Sequence, residues 1–140
     1  MSELKIERYQ VVTTEGQTVE LEYDQEGDML EIFFERGAAS GAIELADPLI
    51  LRFDRDSGRA LSLSILTFSQ VGELTELGPR SFPLDGLQTL PGPLRQTVIK
   101  MITTPPVTHF LKVMLYAPRS EQPLTPISYI ERSAVFPLPA

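Results

Sequence analysis

The sequence predicts a mainly β chain, at the border of α+β: an antiparallel meander of β-hairpins packed by one helix and a further strand from the C-terminal half. Three observations predict it. Apolar and polar residues alternate with period two through most of residues 18–65. Asp- and Gly-containing turns separate the alternating runs. Only one stretch has clear helical spacing, and it lies between Gly92-Pro93 and Pro105-Pro106.

The elements follow in order. Residues 3–13 read as an N-terminal strand, and Thr18–Asp24 as a second, with Val19, Leu21 and Tyr23 on one face and Glu20 and Glu22 on the other. Met29–Glu35 returns with Leu30, Ile32 and Phe34 inward. Ile43 and Leu45 flank Glu44 in a shorter strand ending at Asp47-Pro48. Leu49, Leu51 and Phe53 then oppose Arg52, and Leu61, Leu63 and Ile65 alternate with Ser62 and Ser64. A one-residue slip would turn any of these apolar sets to water, so the alternation fixes register. The predicted interior is Leu21, Tyr23, Leu30, Ile32, Phe34, Ile43, Leu45, Leu51, Phe53, Leu61, Leu63 and Ile65.

Leu21-Glu22-Tyr23-Asp24, a Gly turn and Leu30-Glu31-Ile32 are echoed by Leu51-Arg52-Phe53-Asp54, a Gly turn and Leu61-Ser62-Leu63. Two such hairpins joined by a short strand make a four- or five-stranded meander. Residues 72–91, broken by Gly78-Pro79, Pro83 and Asp85-Gly86, read as loop with one short strand. Leu94, Val98, Met101 and Ile102 form an amphipathic stripe over a helix at 93–104, which packs on the sheet. Val107–Tyr116 reads as a strand apolar on both faces, with His109 between Val107 and Leu111 and with Phe110, Met114 and Tyr116 opposite. The end is loop-like, with a short strand at 127–131.

Length and composition set the frame. The chain of 140 residues is read as a single domain (1–140), with a hairpin core at 18–70 and a Pro-rich covering extension at 78–140. It has no cysteine, which excludes disulfides and thiolate chemistry. No signal-like or membrane-spanning apolar run is present, and the expectation is a cytoplasmic protein with no membrane partner. The net charge of −7 speaks against nucleic-acid binding. It is unevenly spread: residues 1–77 carry sixteen acidic and six basic side chains, residues 78–140 three and six. Eleven of the twelve prolines follow Gly78. A regular sheet covered by a looping extension explains the division, and attraction between subunits is the sharper alternative.

The stretch Tyr23-Asp24-Gln25-Glu26-Gly27-Asp28-Met29-Leu30-Glu31-Ile32, with Ile50–Asp54 and Gly58–Ile65, resembles the bacterial domain-of-unknown-function family 2283 over about residues 18–70. The resemblance implies the hairpin fold rather than an activity. It also implies an antitoxin-like protein partner role, since some members are encoded beside small toxin-like proteins.

Candidate chemistry is sparse. The turns Asp24–Asp28 and Asp54–Gly58 superficially resemble calcium loops, but neither offers the bidentate acid such a loop needs, and Asp and Gly are what a β-turn requires. His109 is the one histidine and would need neighbouring carboxylates in a pocket to act as a base. Phosphate-loop and nucleophile-elbow spacings are absent. The sequence therefore predicts no catalytic, cofactor or metal residues. It predicts a non-catalytic interaction module that self-associates as a homo-oligomer or binds a protein partner, through Phe33, Ile50, Phe110, Met114 and Tyr116. The alternative is a small-molecule or metal-assisted enzyme using His109 with nearby acids.

Overall fold

The computed structural model describes residues 6–71, 74–76, 78–116 and 125–135. Six strands, β1 (Ile6–Val12), β2 (Thr18–Asp24), β3 (Met29–Phe33), β4 (Gly41–Ala46), β5 (Leu49–Asp54) and β6 (Arg59–Ile65), form one antiparallel sheet. Its order is β1-β2-β3-β6-β5-β4. This is two three-stranded meanders joined through β3 and β6, not the single meander the chain order suggests. At this junction β3 and β6 pair Leu30 with Ile65 and Ile32 with Leu63 at the centre of the sheet. The edges fall to β1 and β4.

The predicted interior set is buried throughout, and Val19 and Leu49 join it. Leu61 is a special case. A bulge pairs Phe53 with Ala60 and Arg52 with Ser62, so Leu61 is buried but lies outside the main core cluster.

The C-terminal half roofs the inward face. A single turn of helix, α1 (Phe68–Val71), follows β6 and buries Phe68 and Val71. The two-residue strands β7 (Leu74–Thr75) and β8 (Gly78–Pro79) pair with each other. Then come β9 (Ser81–Pro83), a 3-10 turn (Asp85–Thr89) and α2 (Gly92–Ile102). Pro93 enters α2 at its first turn, where the absent N–H has no partner to lose. Val98, Met101 and Ile102 are its buried stripe, as the spacing predicts. Arg95 ties the 3-10 turn to α2, donating from Nε to the Leu87 carbonyl at 3.0 Å and from Nη2 to the Leu90 carbonyl at 2.9 Å. After α3 (Val107–Phe110), strands β10 (Leu111–Tyr116) and β11 (Thr125–Ile130) complete a second sheet of order β10-β11-β9. A last 3-10 turn (Arg132–Val135) buries Ala134 and Val135. All the buried apolar residues of this half belong to the same core cluster as the inward face of the large sheet.

One element differs in type. The stretch predicted as a strand from Val107 begins as the helical turn α3 and becomes a strand only at Leu111. Val107, Phe110 and Leu111 are all buried, at helical i, i+3 and i+4 spacing, and Pro106 enters the turn with αR dihedrals. Phe110 therefore points into the core, tilted against Phe34 at 5.9 Å, and is not a surface contact. The loop expected at 72–91 contains three short strands and the 3-10 turn, since Leu84 and Leu87 are needed in the core.

Candidate functional site

Strand alternation directs a second set of side chains away from the roof. Register places Arg8, Glu22, Glu31, Ser64, Ile50 and Glu44 in one row across this open face. Gln10, Glu20, Phe33, Ser62, Arg52 and Ala42 form the adjacent row. Ser62 and Ser64 lie on the central strand β6 and are only 5% and 2% exposed, because longer neighbours on β3 and β5 close over them. Phe33 and Ile50 flank this floor of small hydroxyls and stay half-buried.

Two cations organise the face. Arg52 donates to Ser64 Oγ at 2.8 Å and lies 3.5 Å from Glu31. Arg36 lies over the Phe33 ring, 3.7 Å from its centroid, and reaches both Glu20 and Glu22 at 3.3 Å. Exposed pairs of this kind contribute little to stability. Their effect here is to fix where charge sits around the two apolar side chains, an arrangement of apolar centre and polar rim that interfaces share.

The predicted contact residues do not form one patch. Phe33 and Ile50 share the open face, Phe110 is in the core, and Met114, 54% exposed, belongs to the second sheet. The Tyr116 side chain lies outside the described residues. Sequence reasoning placed Arg52 on this face but did not name it as a contact residue, and it missed Arg36. Arg52 was readable from its place between Leu51 and Phe53, whereas Arg36 follows its strand and carried no such signal.

The two hairpin turns resolve into structural devices. Asp24 Oδ1 accepts from the amides of Glu26 and Gly27 at 3.1 and 3.2 Å. Asp54 Oδ2 accepts from the Ser57 amide at 3.2 Å, and Oδ1 from the Ser40 hydroxyl at 3.1 Å. Hydrogen bonds from Ser57 and Ser40 hold the Asp54 carboxyl below the usual carboxylate range. Each turn thus spends its aspartate oxygens on its own backbone and near neighbours, the role a β-turn gives Asp. No cluster of three or more His, Asp or Glu able to hold a metal ion occurs among the described residues.

Asp28 does something further. It sits at φ 51°, and its carboxylate accepts from the Tyr23 hydroxyl at 2.8 Å, the Ser69 amide at 3.0 Å and the Ser69 hydroxyl at 2.5 Å. Its carbonyl takes the Phe68 amide at 2.9 Å. The β2–β3 turn is thereby fastened to α1, more than forty residues later in the chain. Burial pushes the Asp28 carboxyl up, but the Ser69 and Tyr23 hydroxyls and the Ser69 amide outweigh it and hold it below its ordinary value. Burial and then the Asp28 bond raise the Tyr23 phenol to about 12.

Surface grooves among the described residues include two next to the roof. One, of about 600 Å³, runs between the β5–β6 turn and α2, with Arg55, Arg59 and Lys100 beside Glu35 and Asp56. Arg59 and Glu35 are already paired at 2.7 Å. The other, of about 610 Å³, lies between β4 and the first 3-10 turn. His109 lines neither groove; it lies within α3, half-buried, with its ring edge-on to Phe110 at 4.9 Å. It has no hydrogen-bonded carboxylate among the described residues, which is what a catalytic imidazole would use for orientation.

Among the described residues no helix is long and apolar enough to cross a membrane. No family model, curated protein or solved structure matches the chain.

Proposed function

We propose that this protein is a non-catalytic interaction module that contacts a protein partner through the open sheet face centred on Phe33 and Ile50. The observation that carries the reading is the composition of that face. Two half-buried apolar side chains flank a nearly inaccessible serine floor, and fixed charges from Arg36, Arg52, Glu20, Glu22 and Glu31 surround them. Such a face offers shape and a charge pattern of the kind that protein interfaces use. The net charge of −7 favours a protein partner over a nucleic acid, and a cytoplasmic setting accords with the absence of cysteine. The likeness to family 2283 rests on the Tyr23–Ile32 and Ile50–Ile65 residues, and supports the same reading through the partner role it implies.

The test is comparative capture from a lysate of the native host with the wild-type chain and with a Phe33→Asp, Ile50→Asp variant. A protein retained by the first and lost by the second supports the reading. Identical capture by both, with the variant folded by circular dichroism, overturns it.

A further inference from the structure

The two edges of the large sheet are treated differently. Edge β4 is closed. It carries a register irregularity between Glu44 and Ala46, Pro48 follows it, and Gly86 packs so tightly on it that a Cβ there would lie 1.8 Å from the Glu44 carbonyl oxygen. Edge β1 has none of these protections. Its seven residues pair with β2 without a break in register, contain no proline or glycine, and no described strand pairs with the other side. An edge of that kind is a template for another strand.

We propose that the strand that occupies it is β1 of a second copy, paired antiparallel about a two-fold axis at Tyr9. The inference deepens the self-association part of the interaction-module reading and uses a different surface from the open face.

The register follows from backbone geometry. The Thr13 amide donates to the Gln17 carbonyl at 2.9 Å, which closes the β1–β2 hairpin. In an antiparallel ladder, bonded and non-bonded positions alternate. Val11, Tyr9 and Glu7 therefore bond β2, and Val12, Gln10, Arg8 and Ile6 direct their N–H and C=O groups outward. Residues directly opposite across a two-fold must share a face, so the axis falls on a residue and not between two. Centring on Arg8 would set Arg8 against Arg8, like charges directly opposed. Centring on Gln10 would carry Ile6 past the end of the partner strand. Centring on Tyr9 pairs Arg8 with Gln10 and Ile6 with Val12, so every outward backbone group finds a partner and no like charges stand directly opposite.

Side chains agree with that register. Val12, 64% exposed in the single chain, is covered by Ile6 of the second copy. On the inner face Tyr9, which packs against the core, meets its own symmetry mate in the close, non-bonded type of pair. The core would then run from one copy into the other through two tyrosines.

The chain has no cysteine, which makes a cross-linking test direct. At a non-bonded pair the Cα atoms stand ~4.5 Å apart, within the ~4.4–6.8 Å a disulfide spans. Under mild oxidation Tyr9→Cys is expected to yield a disulfide dimer, whereas Arg8→Cys and Gln10→Cys are not. Because Tyr9 is half-buried, a second pair of variants uses the exposed Gln10. Gln10→Glu faces Arg8 of the partner and is expected to tighten dimerisation roughly two- to thirtyfold, counting two such pairs per dimer. Gln10→Arg is expected to weaken it by a similar factor. Within one chain Gln10 faces Glu20, so fold stability shifts in the opposite sense for each variant and cannot mimic the result. A mass of one chain at every concentration by light scattering overturns the proposal, as does cross-linking through position 8 or 10 in place of 9. Tyr9→Cys is expected to cross-link equally with and without the Phe33→Asp, Ile50→Asp changes, so loss of either surface is read separately.

Discussion

Asp28 shows how much one short side chain can organise. Its position in a left-handed turn is one that Asp and Asn tolerate better than other non-glycine residues. Asp28→Asn keeps that conformation and removes the charge, leaving the Ser69 amide and two hydroxyls with a weaker acceptor. We expect a loss of about 1–2 kcal/mol in denaturant unfolding near neutral pH. The pH dependence has a definite sign. A carboxyl whose folded pKa is lowered stabilises fully above its unfolded value, about 4, and the contribution is lost as pH falls through the lower folded value. The wild type should therefore lose its advantage over Asp28→Asn in acid. Tyr23 reports on the same contact: its phenolate absorbance should appear at about pH 12 in the wild type and at lower pH in the variant. The Tyr23-Asp24 and Asp28 positions were legible as turn chemistry. The link from Asp28 to Ser69 was not, because nothing local in the sequence connects residues so far apart.

At the scale of elements, alternation made the strands readable and misled in one place. Period two is a strong signal where Glu and Leu take turns, as in β2 and β3, since each residue declares its face. In 107–116 seven of the ten residues are apolar and they fall on both faces, so helical and extended spacings both fit, and the packing of Val107 and Phe110 decided for a helical turn. Strand order was also beyond the alternation, which fixes faces but not neighbours. The closed edge was hidden too, because Gly86 reads as a turn glycine and its contact with Glu44 exists only once the roof is in place. Gly86→Ala should force the first 3-10 turn off β4 and destabilise the fold by about 1–3 kcal/mol, the range for an overpacked contact. Thermal unfolding of the variant against wild type measures it; an unchanged midpoint would show that the contact yields without strain.

For the whole molecule, the division of charge and proline along the sequence turns out to be a division of labour. The acidic half builds the large sheet, and the proline-rich half supplies its cover: Leu84, Leu87, Val98, Ile102, Val107 and Phe110 all enter one core with Leu21, Ile32 and Leu63. Each such residue contributes roughly 1.5–3 kcal/mol by leaving water, so the sheet alone cannot keep its inner face. A chain ending at Val71 should bind an apolar dye and lose cooperative unfolding, while the intact chain does neither. The cover also limits where the large sheet can be extended. By seating Gly86 on the Glu44 backbone it leaves β1, among the described residues, as the uncovered rim of the large sheet. When that rim pairs with its own copy as proposed, both outer ends of the joined sheet are covered β4 edges, so the large sheet stops growing at a closed pair.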